Sequence, residues 1–194
     1  MNKEELRAEF RRRRQELDPR EVQERSRRVR ENLERLPEFS SSRFLAIYLP
    51  KHGSGEVDTY PLLDLLGRKR IAVPVVFKEQ RMMRFSEILS PGELQAGVFG
   101  IPEPKPECYR WVEPEELDLV LVPGICFDLE GRRLGYGYGY YDTFLSGLRS
   151  VNPACVSVGL AYEFQVVERL PDGPNDQRVD IIVTEEFVRR VRER

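Results

Sequence analysis

Apolar positions along the chain change their period near residue 43. Before it, Leu6, Phe10 and Leu17 fall near one face of a helix, and Val22, Val29, Leu33 and Leu36 repeat that spacing in a second. Asn2 with Glu5 three residues later reads as a capping box for the first helix. Asp18-Pro19, a cap followed by a residue suited to the first helical position, opens the second. Both helices are charged elsewhere, so their narrow stripes must pack on something larger. Beyond residue 43 come near-continuous apolar runs at 44–49, 71–76, 119–122, 155–160 and 181–183, the pattern of strands buried on both faces. Helices are predicted between or after them at 60–68, 140–148 and 184–193. Residues 86–116, rich in Pro and Glu, read as a long structured loop. This alternation predicts a mostly parallel, doubly wound α/β sheet with the two charged helices packed on it.

A chain of 194 residues with 40% hydrophobic side chains is long enough for one buried core. No apolar run approaches the roughly 20 residues of a membrane span, and Met1-Asn2-Lys3-Glu4-Glu5 lacks a signal-peptide stretch, so a cytoplasmic protein is expected. The three cysteines (Cys108, Cys126, Cys155) are too scattered for a disulfide framework or a zinc site. His52 is the only histidine, which weakens every Ser/His/Asp or Cys/His mechanism. Residues 1–43 hold 13 Lys/Arg against 10 Asp/Glu. Acids interleave with this basic excess, so Arg11-Arg12-Arg13-Arg14 reads as a solvated helix face, and neither nucleic acid nor a membrane is an expected partner.

The chemistry concentrates in residues 119–145. A buried strand ends at Pro123-Gly124, a tight turn carries Asp128 and Gly131, and Arg132-Arg133-Leu134 leads into Gly135-Tyr136-Gly137-Tyr138-Gly139 before a helix near Tyr140. Alternate glycines let the backbone approach a ligand, and their N–H groups ahead of a helix N-terminus can cradle phosphate. Asp142, in the first turn, could hold Mg²⁺. The run is neither a Walker A loop nor a dinucleotide fingerprint, since Tyr140 stands where the last glycine of GxGxxG would be. Loop physics alone leaves two readings open: a phosphate cradle, or a glycine-rich turn packed by tyrosines.

The ordered run Val122-Pro123-Gly124, Phe127-Asp128, Gly131, Arg133-Leu134-Gly135-Tyr136-Gly137 and Gly139-Tyr140-Tyr141-Asp142 resembles the signature of the 5-formyltetrahydrofolate cyclo-ligases, also called 5,10-methenyltetrahydrofolate synthetases. Lys3 with Leu6-Arg7, Glu56-Val57-Asp58-Thr59, Phe99-Gly100-Ile101-Pro102-Glu103-Pro104, and Gln165, Leu170-Pro171, Asp176 and Val179-Asp180 agree with further segments of that family. The resemblance implies one Rossmann-like α/β domain over 1–194. It implies ATP-dependent cyclisation of 5-formyltetrahydrofolate to the 5,10-methenyl form through a phosphorylated formyl group, releasing ADP and phosphate. A monomer is expected. By resemblance, Lys3, Arg7, Arg133, Leu134, Gly135, Tyr136, Gly137, Tyr138, Gly139, Tyr140 and Tyr141 would contact ATP. Tyr136, Gly137, Tyr138, Gly139 and Tyr140 would also touch the folate, Leu49 and Glu56 would line its pterin pocket, and Asp142 and Asp180 would hold Mg²⁺. No catalytic group is assigned. The chain departs from the pattern at Tyr136 and Tyr138, where some members carry Arg and Lys or Gly, so phosphate charge falls to Arg133, Lys3, Arg7, Mg²⁺ and the backbone. Thr143 and Asn175 replace a frequent basic residue and a frequent His. Lys51-His52-Gly53-Ser54-Gly55 is longer than in some relatives.

Overall fold

The structure is a computed structural model and describes residues 2–191. The Asn2 side chain accepts from the Glu5 N–H at 2.9 Å while Glu5 accepts from the Asn2 N–H at 2.8 Å, and this capping box starts α1 (Lys3–Gln15). Asp18 accepts from the Arg20 N–H at 2.7 Å and starts α2 (Pro19–Glu34), and α3 (Pro37–Ser41) follows. The chain then forms β1 (Phe44–Ala46), β2 (Arg70–Phe77), β3 (Met82–Ile88), a small hairpin of β4 (Leu94–Ala96) and β5 (Pro102–Pro104), and β6 (Leu119–Val122). After β7 (Cys126–Asp128) and β8 (Arg133–Leu134) come α4 (Tyr140–Val151), β9 (Val156–Leu160), β10 (Val166–Val167), β11 (Ile181–Val183) and β12 (Val188–Arg190).

Seven strands make the central sheet in the order β12-β11-β9-β6-β1-β2-β3. The five interior strands run parallel, and β3 and β12 close the edges antiparallel. Successive side chains point to opposite faces. Leu45, Leu119, Leu121, Val158, Ile181 and Val183 meet Val29 and Leu33 of α2 on one face. Phe44, Ala46, Val120, Val122 and Ile182 meet Leu145 and Leu148 of α4 on the other. The expected mostly parallel, doubly wound sheet is present. Helix α1 lies apart from this sandwich. It packs Leu6 and Phe10 on Ile125, Cys126, Leu134 and Leu170, over the small β10-β7-β8 sheet, and so comes to face the glycine-rich loop.

Three expectations are corrected. The segment 184–193 is not a helix over its described part; it turns and returns as β12. Thr184 Oγ1 accepts from the N–H groups of Glu186 and Phe187, and the Thr184 N–H donates to the Phe187 carbonyl, closing a hairpin that no helix can enter. Residues 192 and 193 lie outside the described residues. The stretch 60–68 is a short 3₁₀ turn, Tyr60–Leu65, stopped where Leu66 becomes extended and Gly67 takes φ 86°. The loop expected over 86–116 contains the end of β3 and the β4–β5 hairpin, separated by 3₁₀ turns. Among the described residues no helix is long and apolar enough to cross a membrane.

Candidate active site

The chain enters the sheet at β1, builds β2 and β3 to one side, and then returns to build β6, β9 and β11 on the other. The crevice beyond the carboxyl ends of β1 and β6 is therefore the switch point, where open α/β sheets bind ligands. A cavity of about 900 Å³ occupies that place. Tyr48 and Leu49 follow β1 into its wall, Pro74 and Val76 come from β2, Pro123 follows β6, and the loop 133–143 forms the opposite side. Lys3, Arg7, Arg11 and Arg14 of α1 reach it from above the small sheet.

Glycine supplies the shape of the loop. Gly137 has φ 100° and Gly139, the cap of α4, has φ 75°, values at which an L side chain is strained. Arg7 Nε donates to the Gly135 carbonyl at 2.9 Å, fixing α1 to the loop. Arg133 is buried, with Nη2 at 3.0 Å from Asp142 Oδ1, so the cation ahead of the loop and the acid in the first turn of α4 are held together. Asp142 Oδ1 also accepts from the Gln177 N–H at 3.1 Å. Lys3 Nζ pairs with Asp176 at 2.5 Å on the rim. Tyr138 lies against Phe99, centroids 4.8 Å apart, and near Tyr140 at 5.9 Å, an aromatic row across the mouth.

At the other end of the cavity the Tyr136 hydroxyl sits between opposite charges, donating to Glu56 Oε1 at 2.5 Å and accepting from Arg14 Nη2 at 2.9 Å. Burial, with Glu56 adding to it, pushes the Tyr136 phenol well above its ordinary range. Arg14 is 4% exposed. Burial works against its charge, but the contacts with Tyr136 and Glu56 outweigh that and hold the guanidinium above its usual value. The Tyr141 phenol is likewise raised by burial.

The model of the 5-formyltetrahydrofolate cyclo-ligase family matches residues 1–185. The chain belongs to that family. It is 31% identical over 179 residues to the 5-formyltetrahydrofolate cyclo-ligase of Escherichia coli K12, covering 90% of this chain and 96% of that one. It is 33% identical over 169 residues to the mitochondrial 5-formyltetrahydrofolate cyclo-ligase of Arabidopsis thaliana, where the match covers 76% of this chain and only 61% of the plant protein's length. The solved structure of Aquifex aeolicus 5,10-methenyltetrahydrofolate synthetase superposes with a TM-score of 0.86 at 42% identity, over 100% of this chain and 95% of that one.

Most residues expected to form a cyclo-ligase site gather here. Lys3, Arg7, Arg133, Leu134, Gly135, Tyr136, Gly137, Tyr138, Gly139, Tyr140, Tyr141, Asp142, Leu49 and Glu56 all line the one cavity. Asp180 does not. It enters β11 with its carboxylate turned into the sheet, accepting from the Ser157 N–H at 2.9 Å and the Ser157 hydroxyl at 2.8 Å, and it is 3% exposed. The structure thus brings Asp142 to the cavity without Asp180, and places Asp176 on the wall instead. Arg14 and Glu103 are among the lining residues that carry no site role in the sequence. Arg14 belongs to a run of four arginines that reads as solvated, yet it lies four residues beyond Phe10 and eight beyond Leu6, on the buried stripe. Glu103 stands in a Pro-rich segment with no local sign of burial.

Proposed function

We propose that the chain catalyses ATP-dependent cyclisation of 5-formyltetrahydrofolate to 5,10-methenyltetrahydrofolate, with ADP and phosphate released. The observation that carries this reading is convergence. A glycine-rich loop opening a helix, ringed by Arg133, Arg7 and Lys3, shares one 900 Å³ cavity with Glu56 and an apolar wall of Leu49, Pro74, Val76 and Met83. The first set suits a triphosphate, through backbone N–H groups, guanidinium pairing and the dipole of α4. The second suits a flat, partly apolar ring with hydrogen-bonding edges.

The chemistry asked of such a site is modest in covalent terms. A formyl oxygen on nitrogen is a poor leaving group until it is phosphorylated. Transfer of the γ-phosphoryl group to that oxygen depends on alignment and on neutralising charge. Arg133, which pairs with Asp142, would meet that charge, and Arg7, which donates to the Gly135 carbonyl, would keep the loop in register. The second folate nitrogen then attacks the activated carbon and phosphate leaves. Loop tyrosines 136, 138 and 140 would flank the folate, with Tyr136 positioning Glu56 against the pterin.

Mg²⁺ fits in a restricted way. Among the described residues no group of three His, Cys, Asp or Glu side chains could hold a metal ion. The protein therefore offers a hard oxygen donor in Asp142, and the phosphates must supply most of the coordination, as is usual for Mg²⁺ at nucleotide sites. When bound, the ion would neutralise charge on the transferring phosphoryl group. The test is direct: purified protein, 5-formyltetrahydrofolate, ATP and Mg²⁺, with methenyl product followed by its near-ultraviolet absorbance and ADP measured alongside. One ADP per methenyl product is expected, and none of either without the folate. Folded protein that forms no methenyl product would overturn the reading.

A further inference from the structure

Four carboxylates line the cavity: Glu56, Glu103, Asp142 and Asp176. Three are matched by cations. Asp142 holds Arg133, Asp176 holds Lys3, and Glu56 takes the Tyr136 hydroxyl with Arg14 Nη1 3.9 Å away. Glu103 faces no cation among the described residues. It lies in the middle of β5, is 7% exposed, and is held by the Val76 N–H, which donates to Oε1 at 3.2 Å. A Cβ built at Gly97 would come within 2.5–2.7 Å of the Glu103 side chain, so the hairpin leaves this side chain one narrow slot. The same cavity is lined by the apolar Pro74, Val76, Met83 and Phe99 and by Lys51, and the Tyr109 phenol interacts with the Glu103 carboxylate.

The reaction has an unassigned proton. The attacking folate nitrogen carries an N–H that must be lost when the ring closes. The lone histidine, His52, does not serve, because it stacks on Tyr60 at 5.3 Å and is not among the lining residues. Resting on the cyclo-ligase reading above, we propose that Glu103 is the catalytic base that accepts this proton. The nitrogen lone pair forms the new C–N bond to the phosphorylated formyl carbon, and its proton passes to the Glu103 carboxylate. The lone pair of the other folate nitrogen then expels phosphate, the C–O pair leaving with oxygen. Glu103 returns the proton to the departing phosphate and is regenerated, so the products are the cationic methenyl ring and hydrogen phosphate. Burial raises the Glu103 carboxyl above its ordinary value, only partly offset by the N–H groups of Val76 and Val98, which is the direction a general base needs.

Ring closure is tested apart from phosphoryl transfer by quenched-flow single turnover, with ADP and methenyl absorbance measured separately. Glu103→Gln keeps the shape and an acceptor for the Val76 N–H. ADP formation in this variant is expected within a few-fold of wild type, while methenyl formation slows by about 10²–10⁴. An unchanged methenyl rate overturns the proposal, and so does an equal loss in both steps with a raised KM for the folate, which marks a binding role. Should Glu103→Gln fail to fold, the wild-type pH profile decides. The closure rate must fall as pH drops through a single carboxyl titration, and a flat profile overturns the assignment. A wild type that forms neither ADP nor methenyl product fails earlier, at the cyclo-ligase reading itself.

Discussion

The Tyr136 hydroxyl donates to Glu56 Oε1 at 2.5 Å, so the glycine-rich loop and the segment after β1, eighty residues apart in sequence, are tied at the floor of one cavity. Arg14 completes the tie from α1. The Tyr136 ring supplies no charge to phosphate; it links two walls of the cavity instead. Tyr136→Phe deletes the link while keeping the ring. It leaves a buried guanidinium and a carboxylate short of a partner, a loss of about 1–3 kcal/mol. Urea denaturation should show that loss, and the KM for the folate should rise more than that for ATP. Unchanged stability would show the tie to be inconsequential.

Arg14 is the residue most easily misread from sequence. A run of four arginines looks like solvent-facing charge, and Arg12, which pairs with Glu9 and Glu16 on the surface, fits that view. Arg14 lies four residues beyond Phe10 and eight beyond Leu6, on the buried stripe, and is itself buried. Arg14→Ala should therefore destabilise by about 1–3 kcal/mol, the cost of stranding its partners, whereas Arg12→Ala should stay within about 0.5 kcal/mol of wild type. Thermal denaturation of the two variants measures this, and equal effects would contradict the burial of Arg14.

The parts of the fold legible in sequence were those where local chemistry and tertiary packing agree: the capping box at Asn2, the Pro19 start of α2, the apolar runs that became β2, β6 and β11, and the glycine run ahead of α4. What was not legible depended on contacts between distant segments. Residues 184–191 have helical composition, but the Thr184 hydroxyl bonds to the next turn and β11 offers an edge to pair with. Glu103 falls in a segment that resembles the family, but its burial is not legible, because β2 and the hairpin create it and not its neighbours in sequence.

Two glycines in the same region should respond oppositely. Gly137, at φ 100°, faces the cavity beside Arg7, and Gly137→Val should raise the Kd for ATP at least about tenfold, because a β-branched residue resists that conformation and fills the space proposed for phosphate. Gly147 sits within α4 with open space around it, so Gly147→Ala should stabilise the protein by about 0.5–1 kcal/mol and leave ATP affinity unchanged. Calorimetry with ATP and denaturant titration separate the two effects. Tight ATP binding by folded Gly137→Val would sink the phosphate-cradle reading of the loop.

Asp142 and Asp180 make the sharpest contrast, because resemblance gives them one role and the structure gives them different surroundings. Asp142 lines the cavity at the first turn of α4, paired with the buried Arg133; Asp180 is inside the sheet edge of β11 with Ser157 donating to it twice. Asp142→Asn removes a negative charge from the place where Mg²⁺ and the triphosphate would sit. The Mg²⁺ concentration for half-maximal rate should rise about 10–100-fold, and stability should fall by about 1–3 kcal/mol, because the buried Arg133 loses its charged partner. Asp180→Asn weakens a buried, charge-assisted pair of hydrogen bonds, so stability should fall by about 1–3 kcal/mol while the Mg²⁺ requirement of the folded fraction stays where it was. Activity titrated with Mg²⁺, normalised to folded protein by circular dichroism, reads both. If Asp180→Asn shifts the Mg²⁺ dependence as far as Asp142→Asn does, Asp180 must leave Ser157 when nucleotide binds, and the metal would then draw on both acids.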